Sequence, residues 1–93
     1  EDLKGVSKLV MHHQEKFDGT GYPYGLKGDE IPLGSRILAV VDAYNAMTTD
    51  RVYRKAMTVL EAREEMVRYK GKQFDPEVVE AFCQIYDFGW IPV

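Results

Sequence analysis

Residues 18–34 read DGTGYPYGLKGDEIPLG, and this segment decides how the rest of the chain is organised. Its helix breakers are Gly19, Gly21, Pro23, Gly25, Gly28, Pro32 and Gly34. Proline lacks the N–H that a helix interior needs, and glycine favours tight turns, so no helix continues through this segment. The sequence therefore predicts one long ordered Gly/Pro-rich loop over residues 18–34.

Helical patterns flank this loop on both sides. Before it, apolar residues recur at three- and four-residue steps, at Leu3, Val6, Leu9 and Val10, and His13 continues the same stripe. After it, we predict a second helix through about Ala46 with Ser35 as its N-cap. The apolar residues within segment 37–44, which is interrupted only by Asp42, cover most of the circumference of that helix. We therefore expect the helix to be buried on nearly all sides.

Two further helices carry explicit start signals. Thr58 and Glu61 form a T-x-x-E capping box for a third helix that ends near Lys70, with Gly71 as its C′ residue. Asp75 and Pro76 provide the N-cap and first position of a fourth helix, whose predicted inner side consists of Val78, Val79, Phe82 and Ile85. No alternating strand pattern occurs, so the predicted class is all-α.

The bulk composition limits the possible functions. The chain has 93 residues, which suits one small domain, and its formal charge of −3 with a pI near 5.3 offers no basic field for DNA. No apolar run approaches the ~20 residues of a membrane span. The single cysteine, Cys83, is compatible with a reducing cytoplasm, where we expect the protein. The opening EDLKGVSKLV resembles the entry of a helix inside a chain rather than a native terminus, so we expect these residues to be a segment of a longer protein.

Asp42 is the most informative residue outside the loop because it lies inside an apolar run. An ionised aspartate buried there costs several kcal/mol unless it is paired, hydrogen-bonded or bound to a metal. One interpretation is an arginine salt bridge or a helix cap. The other is a divalent cation shared with a histidine of the first helix, either His13 on the apolar stripe or His12, about 100° round the helix. A histidine on an apolar face is more often a core residue.

The segment RVYRK (residues 51–55) forms a local basic cluster. Arg51 and Arg54 are three positions apart and would share a face if the segment were helical. Guanidinium groups bind phosphate through two hydrogen bonds, although a solvated surface cluster is the commoner role of such a pair.

The Tyr22-Pro23 pair forms a rigid corner with an aromatic face beside it. Aromatic faces stack on nucleobases, which would make the loop a recognition element. The alternative is a well-packed Ω-loop without a ligand.

Together these features resemble the HD-GYP family of bacterial cyclic di-GMP phosphodiesterases. The matching runs, in order and at the expected spacing, are EKFDGTGYP (15–23), GLKGDEIP (25–32), RILAVVD (36–42), RVYR (51–54) and FDP (74–76). The resemblance implies an all-helical bundle of the HD-domain type and a site with divalent ions, Fe or Mn, that activate a water to attack a phosphodiester.

The resemblance also implies roles for individual residues. Asp42 matches a metal-ligand aspartate, and Arg51 and Arg54 match positions that contact ligand phosphates. Tyr22 and Pro23 match the corner that lines the substrate groove. Two further loop positions, Asp18 and Gly21, are expected to join them in substrate binding.

The histidines admit two registers. The gapless register places His13 on the first histidine of the family motif and Gln14 on the second. The alternative keeps His12 and His13 as the pair and requires a one-residue insertion in the helix. On the gapless register, which we prefer, glutamine replaces one metal ligand, so we expect two ions rather than three. Asn45 is a second departure, at a position where the family often has aspartate.

The remaining family ligands lie upstream of the match, so residues 1–93 resemble the C-terminal part of a single HD-GYP domain. We expect a half-domain that hydrolyses cyclic di-GMP within the full-length parent and is inactive alone. The alternative is a non-catalytic module that binds nucleotide or a GGDEF-domain cyclase; a purely structural bundle is the third reading. We also expect self-association, because the apolar sides of the first two helices would lack their covers.

Overall fold

The fold is a small helical bundle, seen in a computed structural model that describes residues 3–87, without the side chains of residues 3, 4 and 6. Its helices are α1 (Leu3–His12), α2 (Leu33–Met47), α3 (Val59–Arg68) and α4 (Pro76–Asp87), with a 3₁₀ turn at Gly28–Glu30. Within residues 3–87 there is no β-strand, only two isolated bridges. The all-α prediction is confirmed.

The core lies where α2 meets α3 and α4. Val40 of α2, Met66 of α3 and Val79 of α4 are fully buried, together with Phe74 from the α3–α4 connection. Each residue of this kind contributes roughly 1.5–3 kcal/mol when it leaves water, so this cluster supplies much of the driving force for folding. α1 packs against α2 on a different side, outside this cluster.

The start of α2 differs from the prediction. The helix begins at Leu33 after Pro32, whose φ of −53° already suits a helix entry, so Ser35 is not its N-cap. Ser35 is instead fully buried, and its hydroxyl donates to the carbonyl of Leu9 at 2.8 Å. A Cβ on Gly34 would lie 2.9 Å from the Leu9 side chain, so glycine permits this close contact between α1 and α2.

The expectation that α2 is buried on nearly all sides is wrong for the described part of the chain. Ile37 and Val41 are 44% and 54% exposed. The helix meets α3 and α4 on one side and α1 on another, and no described element covers the remaining side. The predicted stripe of α1 holds only in part, since Leu9 is half-buried but Val10 is exposed. The side chains of Leu3 and Val6 lie outside the described residues.

The predicted caps of α3 and α4 are confirmed. The Thr58 hydroxyl accepts from the Glu61 amide at 3.1 Å, and the Glu61 carboxylate accepts from the Thr58 amide at 2.9 Å. α3 ends at Arg68, slightly earlier than predicted, and Gly71 adopts a φ of +84° just beyond it. Asp75 accepts from the amide of Glu77 at 2.8 Å and thereby caps α4.

Arg36 connects the long loop to the bundle. Its Nε donates to the carbonyl of Ile31 at 2.9 Å, and its Nη1 donates to the buried carboxylate of Asp75 at 2.6 Å. Ile31 is itself buried, so the loop has an apolar anchor beside this polar one. The end of the loop is therefore fixed to both α2 and the start of α4.

No helix within the described residues is long and apolar enough to cross a membrane.

Candidate metal and nucleotide site

The first turn after α1 is organised by the buried carboxylate of Glu15. Its oxygens accept from the backbone amides of Tyr24 at 2.9 Å and Leu26 at 3.0 Å, and Nδ1 of His12 lies 3.4 Å away. Burial alone raises the pKa of this carboxyl, but the hydrogen bonds outweigh burial and hold its pKa below the ordinary value. Glu15 therefore holds the middle of the loop as an ionised acceptor.

Gly21 allows the loop to cross the chain that follows α1. A Cβ at this position would lie 2.4 Å from the amide nitrogen of Lys16 and 2.6 Å from the carbonyl oxygen of Gln14. Only glycine fits so close to another backbone. The structure thus gives Gly21 a shaping role, and its substrate-binding role stays a prediction.

Asp18 is engaged in a turn. Its Oδ1 accepts from the Thr20 hydroxyl at 2.7 Å and from the Thr20 amide at 3.1 Å. These hydrogen bonds, with the side-chain bond the stronger, lower the pKa of the Asp18 carboxyl. Its predicted substrate contact stays untested, since the carboxylate is exposed but already has two donors.

His13 and Asp42 meet at the interface of α1 and α2. Nε2 of His13 lies 3.6 Å from Oδ2 of Asp42, while Nδ1 of His13 contacts the carbonyl of Val10. A carbonyl only accepts, so Nδ1 is the donor to Val10 and Nε2 is the ring nitrogen that faces Asp42. At this distance the imidazole and the carboxylate can pair directly or can share one metal cation.

The expected burial of Asp42 is wrong, because its side chain is 69% exposed. It lies where α2 faces the end of α1, in a small pocket that it shares with His13 and the exposed Leu38. In the part of the chain that the structure describes, the Asp42 carboxylate therefore carries no large desolvation cost, and that cost was the reason for expecting a metal at this position. What fits a cation instead is the ring nitrogen Nε2 of His13, which lies 3.6 Å from this carboxylate.

A cavity of about 180 Å³ opens beside this pair. Besides His13 and Asp42, its walls include Gln14, Lys16, Tyr22 and Gln73. Its lining is polar as well as apolar, and it is bounded by α1, α2, the loop and the α3–α4 connection. A larger groove of about 360 Å³ between α2 and α4 is lined mainly by apolar side chains and contains neither His13 nor Asp42.

The donor set fits part of a metal site. Imidazole nitrogen and carboxylate oxygen bind transition metals at about 2.0–2.2 Å, so two ligands of one ion lie roughly 3–4 Å apart. The 3.6 Å separation of His13 and Asp42 lies in this range. The backbone acceptor behind the imidazole is a typical outer partner of a ligating histidine. Within residues 3–87, however, no group of three ligand side chains comes together.

His12 is not a wall of this cavity. It is buried, with its ring 5.5 Å from that of Tyr24 and its Nδ1 near Glu15. The structure therefore separates the roles of the two histidines: His13 faces Asp42, and His12 supports the loop. Ligation of a metal by His12 stays an untested prediction.

Arg51 and Arg54 do not lie on a helix. They are opposite partners of a tight antiparallel turn, with both backbone bonds formed, at 2.8 and 3.2 Å. Directly opposite residues project to the same face of such a pair, so the two side chains share a face for a different reason than predicted. Nη2 of Arg54 donates to the carbonyl of Ala46, a wall of the cavity, at 3.3 Å.

Tyr22 and Pro23 are both exposed at the corner of the loop, and the peptide bond between them is cis. The Tyr22 side chain lines the cavity. The structure thus brings Tyr22, His13 and Asp42 together. Pro23 lies beside this group in the chain but is not a wall of the cavity.

Three cavity or loop residues were missed from the sequence. Glu15 and Lys16 stood within the matched EKFDGTGYP run but received no role, and the buried acceptor role of Glu15 has no signature in local pattern. Gln73 directly precedes the FDP run, and the tertiary contact between residues 17–18 and 72–73 brings it to the cavity.

Comparison with known proteins agrees with this architecture. The family model described as "HD domain" matches residues 1–78, and the chain belongs to the HD-domain family. A crystal structure of a cyclic GMP-AMP-specific phosphodiesterase from Vibrio cholerae superimposes with a TM-score of 0.79 at 27% identity, covering 90% of this chain and 19% of that one. The HD-type bundle is thus confirmed.

Curated relatives carry related names. A probable cyclic di-GMP phosphodiesterase from Vibrio cholerae is 47% identical over 83% of this chain and 18% of its own length. A cyclic di-GMP phosphodiesterase from Pseudomonas aeruginosa is 44% identical over 95% of this chain and 23% of its own. The resemblance to HD-GYP proteins is confirmed, and the chain spans about a fifth of the length of these relatives.

We predict that Glu15→Gln destabilises the fold by about 2–3 kcal/mol, because the amide removes a charged acceptor and places a donor against backbone N–H groups. The lowered pKa sets the pH dependence: the stabilisation is present above the unfolded-state value of 4.5 and is lost as pH falls through the folded-state pKa. Urea unfolding of both proteins between pH 3 and 7 would measure this.

The matched control is Glu77→Gln, at an exposed position of α4. Equal stability of the Glu15 and Glu77 variants at pH 7 would contradict the central role of Glu15.

Proposed function

We propose that this chain forms the C-terminal part of a single HD-GYP domain and that the whole protein is a metal-dependent phosphodiesterase acting on cyclic di-GMP. The observation that carries the proposal is the His13–Asp42 pair at the edge of a cavity that also contains Tyr22. The names of the relatives support the same substrate class.

The metal ions in this proposal are Fe or Mn, and two rather than three. Gln14, a poor ligand for a transition metal, is a wall of the cavity next to His13, where the preferred register expects a second histidine. When bound, such ions supply Lewis-acid polarisation of a phosphodiester and an activated water. His13 and Asp42 would hold one of them, with further ligands from outside the described residues.

The chain's own contribution would be orientation of the substrate. Arg51 and Arg54 project from one face of their turn and form no ion pair with a described carboxylate. Like charges placed opposite each other repel, so a phosphate between them would relieve that repulsion. Lys16 is a positive group in the cavity wall, whereas neither arginine is a wall of the cavity, and Tyr22 offers a face for base stacking.

A cytoplasmic location belongs to this proposal. Cys83 is a free thiol, half-buried in α4, and such thiols persist in a reducing compartment.

A second candidate function is binding of a GGDEF-domain cyclase. The observation that favours it is the exposure of Tyr24, which is 68% exposed, next to the exposed Tyr22. Exposed aromatic side chains on a rigid loop are typical of protein-binding surfaces. Tyr24 is not a wall of the cavity, so partner binding can be separated from catalysis.

We further propose that the isolated chain self-associates. Leu33, Ile37 and Val41 expose one side of α2 beside the larger apolar groove. Contiguous apolar surface of this kind favours association in water.

For catalysis, we predict that Asp42→Asn lowers metal-dependent hydrolysis of cyclic di-GMP at least a hundredfold in the natural-length protein, because an amide is a weaker ligand than a carboxylate. Residues 1–93 alone should show no hydrolysis. Turnover with added Mn²⁺ or Fe²⁺, read by chromatography of the products, is the measurement. Asp29→Asn, an exposed carboxylate of the loop, is the control. Full activity of Asp42→Asn would refute the proposal.

For the second candidate, we predict that Tyr24→Ser weakens capture of a GGDEF-domain protein about tenfold while hydrolysis is retained, because it removes the mostly exposed ring and its contact with His12 but keeps the backbone amide that donates to Glu15. Pull-down titration would measure the affinity, with Tyr53→Ser as the control on another exposed tyrosine. Unchanged capture would argue against this surface as a docking site.

For self-association, we predict that the isolated chain sediments as a dimer at high concentration and that Ile37→Glu shifts it to monomer, because the charge interrupts the apolar side of α2. Analytical ultracentrifugation is the measurement, and Leu60→Glu, at an exposed site of α3, is the control. A monomeric wild-type chain would contradict the prediction.

A further inference from the structure

Gln73 is a wall of the cavity that comes from the connection between α3 and α4. Its backbone is fixed on both sides: its amide donates to the carbonyl of Tyr69 at 3.1 Å, and its carbonyl accepts from the amide of Phe17 at 3.1 Å. The adjacent carbonyl of Lys72 accepts from the amide of Asp18 at 2.8 Å. The position of Gln73 is therefore tied to the start of the long loop.

The side-chain amide of Gln73 has no hydrogen-bond partner within residues 3–87, although the residue is half-buried. A carboxamide offers donors and an acceptor side by side. Solvent reaches this amide, since Arg63 Nε is the buried side-chain atom without a partner among the described residues, and a ligand in the cavity can replace that water with a donor and an acceptor contact at once.

We infer that Gln73 is a specificity-determining residue that reads the edge of a nucleobase whose face stacks on Tyr22. This inference rests on the proposed cyclic dinucleotide substrate. Tyr22 and Gln73 are walls of the same cavity, and recognition of an unpaired base combines a stacking face with hydrogen bonds to its edge.

Other polar walls of the cavity are less suited to this role. Lys16 only donates, so it suits phosphate better than a base edge. Gln14 is adjacent in sequence to His13 and lies on the side of the metal-ligand pair. Gln73 enters from a separate element, and its backbone bonds leave the side chain free to contact a ligand.

The amide of Gln73 suits guanine and adenine alike. With guanine, the amide oxygen accepts from N1–H and the amide N–H donates to O6; with adenine, the same groups pair with N6–H and N7. Replacement by glutamate leaves acceptors only. These still match the adjacent N1–H and N2–H donors of guanine, but they face the N7 acceptor of adenine. Gln73→Glu should therefore change the preference between the bases.

The test measures equilibrium binding by calorimetry in the natural-length protein with metal removed by a chelator, so that turnover is absent. The probes are cyclic di-GMP and its analogue with two adenine bases. We expect Gln73→Ala to weaken both about tenfold, and Gln73→Glu to shift the affinity ratio about tenfold toward the guanine ligand. Gln84→Ala, an exposed glutamine of α4, is the matched control and should change neither.

The outcomes separate the two proposals. Wild-type protein that binds neither probe, and hydrolyses no cyclic dinucleotide when metal is restored, overturns the proposed function and the role of Gln73 together. Binding that responds to Tyr22→Ala but stays within twofold in both Gln73 variants overturns the role of Gln73 alone. Gln73→Glu is nearly isosteric, so its affinity ratio decides the matter even if Gln73→Ala fails to fold.

Discussion

The site depends on one buried carboxylate. Glu15 is inaccessible to water, and its oxygens accept from the amides of Tyr24 and Leu26 while His12 lies against it. A loop with this many glycines has high conformational entropy when free, and ordering each residue costs about 1–2 kcal/mol. Several charged hydrogen bonds to one acceptor recover part of that cost and place Tyr22 at the cavity, two residues before the first bonded amide. Without this acceptor, the aromatic corner would have no defined position relative to α1.

How well each part of the fold could be predicted depends on how far apart in sequence the interacting residues are. The capping box of Thr58 and Glu61, the cap of α4 at Asp75 and the turn glycine Gly71 are local features, and all three were predicted from the sequence. The start of α2 was not, because Ser35 looks like a cap locally but is buried by the approach of Leu9, 26 residues away. The exposure of Ile37 and Val41 was not predicted for a similar reason. An apolar pattern shows which surface is suited to burial, but it does not show whether another helix packs against that surface.

The candidate site shows the same difference between features that the sequence pattern reveals and features that depend on tertiary structure. The pattern placed His13, Asp42 and Tyr22 in one site, and the structure brings these three to one cavity. The reasoning about Asp42 was nevertheless wrong in its premise, since its carboxylate is mostly exposed and carries no large desolvation cost. The geometric feature that fits a cation is the imidazole of His13, whose Nδ1 donates to Val10 and whose Nε2 faces this carboxylate. That feature depends on the rotation of one side chain, which sequence does not reveal.

The loop connects the elements around the cavity in addition to the direct packing of the helices. Its start is bonded to residues 72 and 73, its middle to Glu15 and its end, through Arg36, to Asp75 at the start of α4. Asp42 lies on α2 and His13 on the turn that directly follows α1, whereas Tyr22 and Gln73 lie on segments that these loop bonds align. The affinity of a ligand that contacts His13 and Asp42 as well as Tyr22 and Gln73 would therefore depend on how the loop bonds align these segments. Since helices hold side chains more rigidly than loops, the proposed function would place the chemistry at Asp42 on α2 and at His13 beside α1, and the selectivity at the loop and the α3–α4 connection.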